Sequence, residues 1–471
     1  GHRTRAGRTA AGGRPLTYVG ASETTLVSRG RVATASAETG LSPQARWLFV
    51  ALALLAVATI LPEVRSANDA SRMALTQALV EHRSLIIDQS VFVQWEDKSW
   101  VNGHFYSDKP ALPSLLAAVV YWPIHALGIR LDFGVNFAYF LIVLLVSKTS
   151  WLGGAFAFYK GLRFVDVPES GRLGATIALA AGSLYLSYSA AFSNHGLAAS
   201  WVAIGWYFYL RAVHTDAVRS SLAWAGLWLG LAGAADFPVL VYAAGVGALV
   251  LFDGRLRRGL VGYVVGVVVA MLPGTIVNYL VSGSVVPLTL VADYYLWPGS
   301  PWTRDELTGA SRFTGGELVR YAIGCLVGPR GFLVYNPLLV PALAIAFGRL
   351  AGLAGTSGTR RPPFAREAAM VLACTAVLWG YYIASSTNYS GYSYSVRWFV
   401  PSLPLLLWFL AFAWRSWGRP WQAVFAVLFA ASAVIALVGC LNPWSNLSVS
   451  QIPFTANLIE HWPQLGDLLP R

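Results

Sequence analysis

Apolar runs of roughly bilayer-spanning length, about 20 residues, recur along the chain. They lie near 47–63, 134–160, 172–190, 197–212, 222–236, 238–252, 259–280, 333–348, 367–385, 399–413 and 420–440. Within each run the hydrophobic positions are continuous rather than alternating. Backbone groups in lipid must bond internally, so such runs are helices, and a closed barrel is excluded. The pattern predicts an all-α, polytopic membrane protein with about 11 transmembrane helices. Arginine-rich loops alternate with arginine-poor ones. Lys160/Arg163, Arg211/Arg219, Arg255/Arg257/Arg258, Arg349/Arg360/Arg361/Arg366 and Arg415/Arg419 fall on one side, which the positive-inside bias makes cytoplasmic.

The run 111–128 does not fit this alternation. A full crossing there would place every later arginine-rich loop outside, so it reads as a re-entrant or interfacial helix. The alternative is a break near Lys148 within the long 134–160 run, since a mid-span lysine is costly and faces a cavity or partner. Four polar stretches complete the layout: a basic tail, 1–45, expected to be cytoplasmic, disordered and no cleavable leader; a large first outer loop, 64–110; a second outer loop, 281–332; and a short outer segment, 441–471. The membrane domain between the tail and the last segment is 46–440. A multi-pass plasma (inner) membrane protein with its N-terminus inside is expected.

Composition agrees. The chain has 471 residues, is 56% hydrophobic and only 12% charged, against about a quarter charged for soluble proteins. Mean hydropathy is +0.55. The net charge of +12 suggests nucleic acid, but the basic residues sit in the tail and in short loops, not on one face, and that reading is rejected. The three cysteines form no metal-binding spacing.

Chemistry concentrates in the first outer loop, which holds acids, bases and two histidines beside the membrane. Asp69 follows the first span and can act as a general base on a hydroxyl. Arg72, one helical turn on, can bind a phosphate through its planar fork. The bland reading of the two is a surface ion pair capping a helix. The loop closes on Tyr106-Ser107-Asp108-Lys109-Pro110. Pro110 suits a helix start, and Lys109 stands where a lipid phosphate would lie, or snorkels to headgroups.

The stretch Asn68–Pro110 resembles the GT-C superfamily of membrane glycosyltransferases, most closely bacterial protein O-mannosyltransferases and lipid A aminoarabinose transferases. Those enzymes place an acid after the first span, an arginine three positions later in the aminoarabinose branch, and a Y-x-(E/D)-K-P motif at the end of the first loop. Asp69, Arg72, Tyr106, Asp108, Lys109 and Pro110 hold those positions. Phe192-Ser193-Asn194-His195, Asp236-Phe237-Pro238 and the segment Gly391–Trp398 with Pro401 and Pro404 agree more loosely, over roughly 46–420. Asn68 stands where some relatives carry a second acid.

The resemblance implies transfer of a sugar from a polyprenyl-phosphate donor to an acceptor hydroxyl (of a glycan, lipid or protein) on the outer face. It implies Asp69 as base, and Lys109, Arg72 and Arg397 as holders of the leaving phosphate. Tyr106, Asp108, His195 and Asp236 are candidate pocket residues. Members of the superfamily differ in metal dependence, and no His-x-x-His or acid cluster fixes a site, so no metal ligand is assigned and a divalent cation stays open as a cofactor. A scaffold subunit with this fold, or a secondary transporter, are the alternatives. No internal repeat with matching broken helices favours a transporter.

Overall fold

The structure, a computed structural model, describes residues 40–165, 167–308, 312–354, 364–414 and 417–467. The basic tail expected over 1–45 lies outside them as far as residue 39. Among the described residues the chain is helical apart from one two-stranded hairpin. By length and hydropathy four helices among the described residues can cross a membrane: Phe137–Phe164, Leu256–Ser282, Ala365–Ser385 and Arg419–Leu441. A bent pair, Gly315–Tyr335 with Leu339–Ala351, adds a fifth if counted as one span. The count of about 11 is therefore not confirmed. Asn194–His214 and Val218–Ala235 are long enough but not among those that pass, and Pro43–Ala58, Ala111–Ala126, Phe237–Leu251 and Arg397–Ala413 are apolar but shorter.

Three local expectations change. The run 172–190 is not one helix: Glu169–Ala180 ends, and a short turn of helix, Leu184–Ser187, follows after Ser183 caps it. The second outer stretch is not all loop, since it contains the helix Gly315–Val327, half of the bent pair. The 134–160 run does not break at Lys148. It is one helix whose backbone widens to π geometry over Val143–Lys148. Lys148 is buried and donates to Thr59 Oγ1 at 2.7 Å and Ser189 Oγ at 3.0 Å, with its ammonium 5.5 Å from the Trp151 ring. A mid-span charge is held by hydroxyls and a π-face in place of water.

Side-chain contacts define two poles. At one, Ser42 donates to Glu169 at 2.7 Å, Arg172 pairs with Glu169, Arg255 holds the carbonyl of Val213 at 2.7 Å and Trp414 reaches Ser170 at 3.1 Å. The other pole gathers the segments after Pro43–Ala58, before Phe137–Phe164, before Asn194–His214, after Val218–Ala235 and after Arg419–Leu441. There Asn136 N–H bonds Pro62 O and Leu61 N–H bonds Ala190 O, both at 2.8 Å. All the candidate chemistry lies at this second pole.

Candidate active site

The site is built on the helix Ala67–Gln77. Ser66 caps it, its hydroxyl accepting from the Asp69 N–H at 3.1 Å. This leaves Asp69 in the first turn, where the helix dipole favours an anion. Asp69 is not at the surface: it and Arg72 are both buried. Asp69 Oδ2 accepts from the Tyr139 hydroxyl and from the Trp444 indole N–H, each at 2.9 Å. Oδ1 has no hydrogen-bond partner and lies 3.8 Å from Arg72 Nη1. Burial pushes the carboxyl up to about 6, against the opposing pull of Arg72, Tyr139, Trp444 and Arg397. A carboxylate with that value and one uncommitted oxygen is suited to take a proton near neutral pH.

Arg72 is not a free fork. Nη1 holds Asn68 O at 2.9 Å and Nη2 holds Asn194 Oδ1 at 2.7 Å. The loop on the other flank is shaped by a hairpin, Ser99–Val101 paired with His104–Tyr106. Its turn is Asn102-Gly103, both at positive φ (51° and 88°), the tight-hairpin arrangement that an Asn-Gly pair adopts without strain. Trp100 and Phe105 face each other across it, ring centroids 4.6 Å apart. The hairpin delivers Tyr106 to Lys109 to the site.

Lys109 arrives already paired. Its ammonium lies 2.7 Å from Asp108 and 2.8 Å from Asp97, and it is 15% exposed. Burial opposes its charge, but Asp108 and Asp97 outweigh burial and hold it above its ordinary value. Asp108 also accepts from Ser71 at 2.8 Å and Tyr295 at 3.3 Å, and burial pushes its carboxyl up. Asp97 Oδ2 accepts in addition from Asn68 at 2.9 Å. Snorkelling to headgroups is thus not the resting state of Lys109. Tyr106 lines a cleft beside it with Leu75, Leu85, Val277 and Leu288.

Arg397 is half-buried, its guanidinium carbon 5.2 Å from the Trp444 ring and its Nε without a hydrogen-bond partner. His195 and Asp236 pair, Nδ1 to Oδ2 at 2.6 Å, and Tyr382 donates to the other Asp236 oxygen at 2.9 Å. Asn194, next to His195, ties this group to Arg72. The structure therefore brings Asp69, Arg72 and Arg397 together around Trp444 and places Lys109 and Asp108 on the adjoining loop. Among the described residues no group of three or more His, Cys, Asp or Glu side chains is placed to hold a metal ion.

Sequence reasoning passed over Tyr139, Asp97 and Trp444. Tyr139 lies inside an apolar run, and only the N-capping Asn136 just before it signals a helix mouth. Trp444 follows Asn-Pro directly after a long apolar helix, a weak sign of a tight return to the membrane surface.

No family model and no curated protein matches the chain. Solved structures do. ArnT from Cupriavidus metallidurans bound to undecaprenyl phosphate aligns with a TM-score of 0.52 at 16% identity, covering 88% of this chain and 75% of that one. The same protein in its apo state aligns with a TM-score of 0.50 at 16% identity, covering 89% and 78%. An oligosaccharyltransferase from Archaeoglobus fulgidus, solved with zinc and sulfate, aligns at 0.49 and 13% identity, covering 83% and 53%. The chain shares the fold of ArnT.

Proposed function

We propose that the chain is a membrane glycosyltransferase that moves a sugar from a polyprenyl-phosphate donor to an acceptor hydroxyl at the pole that carries Asp69. The observation that carries this reading is the buried Asp69, with Oδ1 unpartnered beside Arg72 and with Arg397 one tryptophan away. Asp69 Oδ1 takes the hydroxyl proton as the acceptor oxygen attacks the anomeric carbon. The bond from that carbon to the phosphate oxygen breaks, and its electron pair leaves with the phosphate. Arg397 and Lys109 oppose the charge that develops there. Arg72, its fork engaged by Asn68 and Asn194, contributes field and position rather than a bidentate grip. The ArnT structure that matches in fold holds undecaprenyl phosphate.

The test is donor turnover in liposomes, read as release of undecaprenyl phosphate from undecaprenyl-phosphate mannose and undecaprenyl-phosphate aminoarabinose. Native membrane extract supplies acceptors. Wild type is expected to consume one donor, and a folded Asp69→Asn to lose at least a hundredfold in rate, the usual scale of a removed general base. Undiminished turnover by Asp69→Asn would remove the base assignment. Absence of turnover by the wild type with every donor and acceptor fraction would favour a scaffold.

A further inference from the structure

The segment after the Arg419–Leu441 helix turns straight back into the site, and it is held there by its own polar contacts. Asn442 Oδ1 accepts the Trp444 N–H at 3.0 Å, and Pro443 O accepts the Tyr394 N–H at 2.9 Å. Asn457 donates to Asn442 O at 2.8 Å, and its own side-chain oxygen accepts from Ser445 at 2.9 Å. Asn442 reaches Glu460 at 3.1 Å, and Glu460 is paired with Arg65 at 2.9 Å. The turn is thereby clamped to the segment that leads into the Asp69 helix. Its one buried aromatic is Trp444, with Arg397 over its ring and its edge toward Tyr188 at 6.2 Å.

Two donors converge on the same oxygen of Asp69. An indole N–H can only donate. The Tyr139 hydroxyl accepts from the Phe192 N–H at 3.2 Å, so its own hydrogen is directed to Asp69. Oδ2 thus has both neighbours pointing hydrogens at it and no room for a proton of its own. We propose that Trp444 is a positioning residue that commits Asp69 Oδ2 to fixed donors, so that the proton taken from the acceptor hydroxyl lands on Oδ1. This rests on Asp69 being the base. It adds that the C-terminal return, by way of one indole N–H and one cation–π contact, sets how that base works.

The charged and titratable groups that face Asp69 are Arg72 on its own helix, Tyr139 on Phe137–Phe164 and Arg397 at the start of Arg397–Ala413, and the neutral Trp444 indole completes its surroundings. Of these, only the Trp444 hydrogen bond is removed by Trp444→Phe, which keeps an aromatic face for Arg397. A lost hydrogen bond to a charged group is worth about one pH unit on the titration of Asp69. The sign follows from its direction: the bond favours the carboxylate, so its loss leaves Asp69 protonated to higher pH.

The experiment is the pH profile of kcat/KM for wild type, Trp444→Phe, Trp444→His and Asp69→Asn, with thermal stability of each across the same range. The acid limb of Trp444→Phe is expected to move up by about one unit, giving roughly tenfold slower turnover on that limb, a deficit that shrinks as pH rises. Trp444→His, which restores an N–H donor, is expected to move the limb back toward wild type. Stability gives a readout independent of turnover. Measured against Asp69→Asn, the wild type stops losing stability near pH 6, and Trp444→Phe goes on losing it to about one unit higher. A Trp444→Phe deficit equal at every pH, with the stability inflection unmoved, would overturn the proposal. If Asp69→Asn turns over like wild type, the base reading falls instead, and the stability inflection alone decides whether Trp444 tunes Asp69. If Trp444→Phe does not fold, Asn442→Ala loosens the same turn and is expected to move the limb in the same direction by less.

Discussion

Asp69 is an ionisable group in a place that penalises its charge, and the penalty can be read in two independent ways. Its carboxyl moves from an ordinary 3.8 to about 6 because burial outweighs two hydrogen bonds and two arginines. A base must be deprotonated to act, so kcat/KM is expected to fall tenfold per pH unit below about 6 and to level off above it. The same shift bears on stability. A carboxyl whose folded value lies above its unfolded one favours the fold below 3.8 and loses that advantage as pH rises through about 6. At pH 7 the ionised group costs about 3 kcal/mol at about 1.4 kcal/mol per unit. Asp69→Asn, inactive on the proposed function, should therefore melt several degrees higher than wild type at pH 7, with the gap closing at pH 4. An inactive variant that melts lower would mean that the site gains stability from the charge. The position of Asp69 was legible from its spacing to Arg72 and to the span before it. Its burial was not, because the two groups that enclose it, Tyr139 and Trp444, are 70 and 375 positions away.

At the scale of elements, the Ser99–Tyr106 hairpin decides what Lys109 can do. The Tyr-Ser-Asp-Lys-Pro run was readable as a closing motif. The partner that Lys109 finds could not be read, because Asp97 lies across the hairpin and meets it only once the strands pair. Asp97 takes hydrogen bonds from Lys109 and Asn68 and adds its field to Arg72 and Arg397. On the proposed function it is an anion in front of the cations that a donor phosphate would meet, and the phosphate would compete with it. Asp97→Asn keeps the shape and removes that competition. The pair is largely enclosed, and Lys109 keeps Asp108 when Asp97 is neutralised, so donor KM is expected to fall several-fold with a smaller change in kcat. A rise in donor KM would mean instead that Asp97 aims Lys109 at the phosphate. Elsewhere at this scale, the 172–190 run shows why apolar runs mislead: its residues stay buried through the break after Ala180, where Ser183 and Asn336 bond the freed backbone, so hydropathy sees no interruption.

The whole molecule is polarised, and this argues for one orientation. The pole opposite the site carries Arg163, Arg172, Arg255, Arg257 and Arg349, while at the site pole Arg83 and Arg130 are exposed and Arg65, Arg72 and Lys109 are engaged by neighbours. On the positive-inside bias the arginine-bearing short loops are expected inside, which would put Asp69, Lys109 and Trp444 outside, where the proposed lipid-linked sugar and acceptor would meet. Single cysteines give the test, since Cys325, Cys374 and Cys440 are all buried. Gln89→Cys on the first loop and Ser448→Cys after Trp444 are exposed at the site pole, and Asp216→Cys and Gly254→Cys are exposed at the arginine pole. In intact cells an impermeant maleimide is expected to label the first pair and to reach the second only after the membrane is opened. Labelling of Gly254→Cys in intact cells would reverse the orientation and put the site on the cytoplasmic face. Labelling of both members of one pole but in opposite states would show that an uneven number of the intervening segments crosses, and would break the two-pole reading itself. The short apolar helices and the bent pair, which length and hydropathy leave uncounted, are thus counted by where the loops between them emerge.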